Sequence, residues 1–252
     1  MPTNPHWRNL SGNKVAASAS GGNSNTAAGQ YSSVTGGNGN MASGLASSIT
    51  AGLSNIASGP TSSVTGGRDN TASGITSSIS GGDFNKASGF ISSISGGEVN
   101  EAGGDISSIS GGNANMATGS ISSISGGSGN ESFGSTSSVT GGRENIARGP
   151  SSSISGGRRN TAIGLISSVT GGDDNTASGN RSSVTGGTGN TASGQESSVS
   201  GGTGNTASGD DSSVPAASTT PQAPSSRRLP AASSMSPLAR TLWLLVVVVL
   251  TT

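Results

Sequence analysis

The chain has 252 residues, 44 of them glycine; 29% are hydrophobic, 2% aromatic and 10% charged, and twelve acidic side chains balance twelve basic ones. That composition excludes a conventional globular core, and zero net charge without a basic, aromatic-interleaved stripe excludes a nucleic-acid partner. The absence of cysteine excludes disulfides, thiolate metal sites and cysteine nucleophiles.

Residues 1–20 read as an irregular N-terminal segment with Trp7, Lys14 and the one histidine, His6, and with no apolar run of signal-peptide length. Its end drifts into a repeat, with Ala19 where later units carry valine or isoleucine. This predicts a degenerate first coil acting as a cap.

From residue 21 to 214 one 15-residue unit recurs, seen cleanly at Gly59-Pro60-Thr61-Ser62-Ser63-Val64-Thr65-Gly66-Gly67-Arg68-Asp69-Asn70-Thr71-Ala72-Ser73. An asparagine at 25 and at every fifteenth position up to 205 fixes the count at thirteen units. The period predicts an all-β, parallel β-solenoid of about thirteen coils, whose order comes from stacking rather than from a large core. Each unit divides into two near-equivalent halves, each with one short strand and one corner, and an extra glycine such as Gly66. Strand alternation puts Ser62 and Val64 on one inward face and Asn70 and Ala72 on the other. Valine or isoleucine from Val34 to Val214 then faces alanine from Ala27 onward, with Ser132 the one departure.

Two further columns follow from the stacking. Glycines such as Gly37, Gly44, Gly52 and Gly59 are expected at corners that need a positive φ; their presence in every unit, with no helix following, argues against a phosphate-binding loop. Asn40, Asn55, Asn70, Asn85, Asn100 and Asn115 are expected to form a structural ladder of amides, each donating to its neighbour, rather than an array of ligands.

Outward positions carry the individuality. Ile75, Phe90, Ile91, Ile106 and Ile121 share one corner over successive units and Phe84 and Val99 lie at the neighbouring corner, which predicts one apolar interface, homotypic rather than for a foreign receptor. Arg143-Glu144, Arg158-Arg159 and Asp173-Asp174 are expected to pair between coils; the paired aspartates at 173–174 and 210–211 do not make a calcium repeat, because those positions vary from unit to unit. No nucleophile, base or carboxylate pair is specified, so no enzyme, cofactor or metal is expected. A hydroxyl column through Thr35, Thr50, Thr65 and Ser80 raises ice binding as a rival reading. One aliphatic residue per coil is little to offset the ordering of fifteen, which favours a homo-oligomer.

The pattern Gly-x-x-Asn-x-Ala-Ser-Gly-x-x-Ser-Ser-Val-Thr-Gly-Gly, over about residues 21–214, resembles the head repeats of YadA-like trimeric autotransporter adhesins. The resemblance implies a left-handed parallel β-roll assembled as a trimer. Where that family has a Ser-Val-Ala-Ile-Gly core, this chain has Ser63-Val64-Thr65-Gly66-Gly67, and neither heptads nor four amphipathic strands follow Val214. The likeness therefore extends to the head and not to autotransport.

Residues 215–240 read as a Pro/Ser/Thr-rich linker and residues 241–252 as a hydrophobic tail containing Leu242 to Leu250. Nine apolar residues fall short of the roughly twenty a spanning helix needs. They fit a cleaved glycolipid-anchor signal with attachment at Ser233 or Ser234, a peripheral membrane contact, or an inert end. Together these features predict a non-enzymatic, adhesin-like or structural repeat protein at the cell surface or outside the cell, with an extracellular protein or glycan as ligand. An ice-binding rod and a plain spacer are the alternatives.

Overall fold

A computed structural model describes residues 16–218. It is a parallel β-solenoid. A sheet of fourteen strands runs from Ser18–Ala19 to Ser213–Val214, and a second sheet of thirteen runs from Thr26–Ala27 to Thr206–Ala207. Every pairing is parallel and in register by fifteen residues, as in Ser63↔Ser78 with Val64↔Ile79 and Thr71↔Lys86 with Ala72↔Ala87. Successive coils therefore place like on like.

Strands of two residues are as short as sheets contain, and the residue chemistry explains why they suffice. One residue of each strand points inward: Val64 and Ala72 are buried in their coil, as are their counterparts from Ala27 to Val214. Large aliphatic side chains line one wall and alanines the other, so the two sheets stand back to back around a core one residue thick. Ser62 and Asn70 complete the inward set, both fully buried. Ser132, in the alanine column, is equally buried.

The first coil begins earlier and the last ends later than the repeat itself. Ser18–Ala19 pairs with Ser33–Val34, so Ala19 does occupy a valine position. At the other end Ala217–Ser218 pairs with Gly202–Thr203 as a separate two-stranded sheet, which carries a third column of single bridges, running from Asn23 to Thr203, past Val214 into the first residues of the Pro/Ser/Thr-rich stretch.

The corners correct the expectation for glycine. Gly37, Gly52 and Gly67 do have positive φ, near +89°, +106° and +88°. Gly44 and Gly59 do not; a Cβ on Gly59 would sit 2.1 Å from the carbonyl oxygen of Gly74 in the next coil. Glycine is required there by the close approach of stacked backbones, since no side chain fits between them. The positive φ of that second corner falls instead on Thr61, Thr76, Ile91, Ile106, Ile121 and their equivalents, at 53° to 62°. β-Branched residues rarely adopt this conformation. It persists here because each such N–H is engaged by the preceding coil: Ile91 donates to the Ile75 carbonyl at 2.9 Å and Ile106 to that of Phe90 at 2.6 Å.

Candidate functional site

The exposed side chains of each coil fall on four surfaces: two corners and the outer faces of the two sheets. Because each coil closes through one strand, one corner, the other strand and the other corner, the two corners lie at opposite edges of the rod. The second corner gathers Ile75, Phe90, Ile91, Ile106 and Ile121 from four successive coils, each 44 to 52% exposed. Phe84 and Val99 lie on the opposite edge, separated from the isoleucines by both sheets, so the single patch expected from the sequence is two. Alternation places side chains on faces, but the sequence does not reveal how far apart two corners stand.

The isoleucine edge is held open by its backbone. Ile91, Ile106 and Ile121, with φ of 54°, 57° and 60°, project from left-handed positions, and the neighbouring N–H of Phe90 is capped by the Asp105 carboxylate at 3.1 Å. On the other edge Arg68 lies 5.3 Å above the Phe84 ring and pairs with Asp83 at 2.9 Å, so this exposed aromatic carries a cation over one face. The two apolar groups therefore differ in kind.

The same edge also carries a cluster of ion pairs. Arg158 bonds Asp173 and Arg159 bonds Asp174, each across one coil, and Arg159 also lies 3.3 Å from Asp173. These bonds hold the Asp173 and Asp174 carboxyls below the usual carboxylate range, chiefly through the hydrogen bond from Arg158 and from Arg159 respectively. The Arg158 and Arg159 guanidiniums are pushed up by the same bonds. Arg158 and Arg159 thus meet the aspartates of the next coil as expected, whereas Arg143 pairs with Glu144 of its own coil at 3.6 Å. Among the described residues no group of three or more His, Cys, Asp or Glu could hold a metal ion.

The asparagines are bonded differently from a simple amide ladder. The Asn100 side-chain oxygen accepts the backbone N–H of Asn115 at 3.0 Å, and its Nδ2 donates to the carbonyls of Gly96 at 3.2 Å and Gly112 at 3.0 Å. At Asn40, Asn70 and Asn100 the Nδ2 also reaches the Oδ1 of the preceding asparagine, at 3.2, 3.1 and 3.1 Å. Asn85 and Asn115 make the same backbone and glycine contacts, and Asn55 does so with Ala51 in place of the first glycine. Each asparagine thus staples one glycine corner to the next, which satisfies carbonyls that glycine cannot cover.

The outer faces of the sheets contrast. On the alanine sheet the outward positions hold Met41, Ile56, Lys86, Glu101, Met116, Glu131, Phe133 and Arg148 in no fixed order. On the valine sheet they hold serine in all fourteen strands, then a serine or threonine column including Thr35, Thr50, Thr65 and Ser80. His6, Ser233, Ser234 and Leu242 to Leu250 lie outside the described residues. Compared with known proteins, the chain matches no family model and no curated relative.

Proposed function

We propose that the chain is a non-enzymatic, adhesin-like rod that displays its second corner to an extracellular protein or glycan at the cell surface. The observation that carries this reading is the column Ile75, Phe90, Ile91, Ile106 and Ile121, exposed and contiguous through the fifteen-residue register. A rod that only spaced two objects would gain nothing from an exposed apolar column confined to successive coils, and such patches mark interaction sites. The repeat pattern's resemblance to YadA-like heads agrees with this role, and the solenoid is compatible with it. No cofactor or metal enters the reading.

The column is on the order of a few hundred Å², below the roughly 800 Å² per partner of a standard protein interface. It suits an anchor for a ligand better than the whole contact of a homo-oligomer. Ser233 or Ser234 as a lipid-anchor site, or Leu242 to Leu250 as a membrane contact, would tether the rod and leave its edges free.

The test is adhesion of beads coated with the full chain to an array of glycans and extracellular-matrix proteins. The variant Ile91→Asn/Ile106→Asn/Ile121→Asn removes the apolar column and keeps the backbone, because asparagine tolerates positive φ. Binding lost with unchanged circular dichroism supports the reading. Wild-type binding that survives the triple variant, or no binding at all, sinks it.

A further inference from the structure

We infer that the serine face of the valine sheet is a self-association surface, on which a second copy of this chain seats face to face. The face is chemically uniform where every other surface varies. Serine occupies the first outward column in all fourteen strands, from Ser18 to Ser213. Serine or threonine fills the second from Ser20 to Ser200, and glycine the third from Gly21 to Gly201 with Ala51 the one exception. No charged and no large side chain stands on it, while the equivalent positions of the opposite sheet hold Lys86, Glu101, Met116, Glu131, Phe133 and Arg148. The thirteen coils sample the same backbone repeatedly, so a restriction confined to one face has a cause outside the coil.

Nothing within the rod requires that restriction. Serine is a weaker strand former than threonine, valine or isoleucine at an exposed pleat. A Cβ on Gly66, Gly81, Gly96 or Gly111 would meet no atom within 4 Å, and φ there is outside the left-handed region. Ala51 sits at the same position without strain. Glycine adds chain entropy to the unfolded state and here returns no steric relief. What it does provide is a flat margin. Long, flat, uncharged sheet surfaces are normally broken by charged residues that prevent association; the chain places charges on the opposite sheet and leaves this one bare.

A second copy fits the face in size and chemistry. Fourteen strands about 4.8 Å apart make it about 60 Å long, and about five residues of strand make it about 15 Å wide. That is roughly 900 Å², enough for a standard interface at about 800 Å² per partner. A hydroxyl both donates and accepts, so an array of serines facing its own copy can satisfy itself, and the small side chains let the two sheets approach closely. The contact is isologous and closes at two chains. It leaves both corners exposed, including the isoleucine column. The pairing supplies the contact for the homo-oligomer expected of such a rod and rests on the reading of the chain as a displayed rod.

The measurement is the solution mass of the full chain by light scattering and sedimentation. Twice the 24.0 kDa chain mass is expected. Ser108→Lys/Ser110→Lys, which sets charge at the centre of the face, should weaken pairing on the order of tenfold or more. Gly111→Leu should do the same while circular dichroism stays unchanged, since a Cβ there meets no atom within 4 Å. Met116→Lys on the opposite sheet should leave the mass unaltered. A monomeric or trimeric wild type overturns the inference, as does a dimer indifferent to Ser108→Lys/Ser110→Lys and Gly111→Leu. A monomer that arrests ice growth would give the face to ice instead, and a dimer lost only in Ile91→Asn/Ile106→Asn/Ile121→Asn would move the contact to the corner. Dimerisation without adhesion would leave the pairing standing and remove only the adhesin reading.

Discussion

Ser132 and Ser137 share a hydroxyl hydrogen bond of 2.7 Å across the core, and Ser137 passes its own proton to the Gly134 carbonyl at 2.7 Å. Ser132 is therefore the donor of the first bond. This is how the one serine in the alanine column is accommodated without an unpaired buried hydroxyl. The counterparts of Ser137 at Ser62, Ser77, Ser92, Ser107 and Ser122 have no such partner and leave their buried oxygens unbonded.

The pair makes an asymmetric prediction. Ser132→Ala restores the column residue and leaves Ser137 bonded to Gly134, so it should change stability by no more than about 1 kcal/mol. Ser137→Ala strands the Ser132 hydroxyl and should cost about 1 to 3 kcal/mol. Ser122→Ala should be neutral or stabilising. Urea denaturation of the three variants checks the order, and equal losses at Ser132 and Ser137 would contradict it.

For the asparagine staple, Asn100→Ala leaves the Asn115 N–H and the Gly96 carbonyl without their partner, while the Gly112 carbonyl keeps the Glu98 N–H. The loss should be at least about 2 kcal/mol, since each buried orphan costs about 1 to 3 kcal/mol. Asn100→Asp should be worse at neutral pH, because a carboxylate would face the carbonyls of Gly96 and Gly112, and should recover in part on acidification. Denaturant midpoints at two pH values read both effects.

Two glycines at different corners should respond oppositely. On Gly104 a Cβ would lie 2.1 Å from the Gly119 carbonyl oxygen, whereas on Gly156 it would meet nothing within 4 Å. Gly104→Ala should split the stack at that coil and lower the melting temperature steeply. Gly156→Ala should hold or raise stability, by up to about 1 kcal/mol through the unfolded chain. Thermal melts followed by circular dichroism decide it.

Acid should release the arginine–aspartate edge only below the ordinary carboxylate range. The Asp174 carboxyl is held below its ordinary value of 3.8, first by the hydrogen bond from Arg159. A carboxyl with a lowered folded value stabilises the fold above the ordinary carboxylate range and loses that contribution as pH falls through the lowered value. Carbon-13 titration should show Asp174 ionising below the free carboxylate range, and Arg159→Gln or molar salt should return it toward normal. A titration insensitive to both would dismiss the pair as its cause.

The period, the inward columns and the parallel stacking were legible from residues such as Val64, Ala72 and Asn70, because alternation and a fixed spacing are both properties of the chain itself. What escaped was geometry between coils. Nothing in the letters at Ile91 or Ile106 announces a left-handed backbone, since that conformation is imposed by the neighbouring coil's carbonyl. The other corner did signal it: the position of Asp69 and Phe84 is glycine at 39, 129, 189 and 204. Gly59 and Gly67 look alike in sequence, yet one answers to crowding and the other to φ. Phe84 and Ile91, seven residues apart, fall on opposite edges because a strand and its turn lie between them.

The ion pairs across coils acquire a different importance from the monotony of the stack. A strand that skipped one unit while folding would find the same asparagine, glycine and aliphatic residues waiting for it thirty residues on. It would not find the same surface: Lys86 would meet Met116 in place of Glu101, and Arg158 would meet Thr188 in place of Asp173. Solvated pairs of this sort add little to the stability of the finished rod, but they differ from coil to coil where the interior does not. The varied exterior can therefore serve as the chain's numbering system, telling each coil which neighbour is its own.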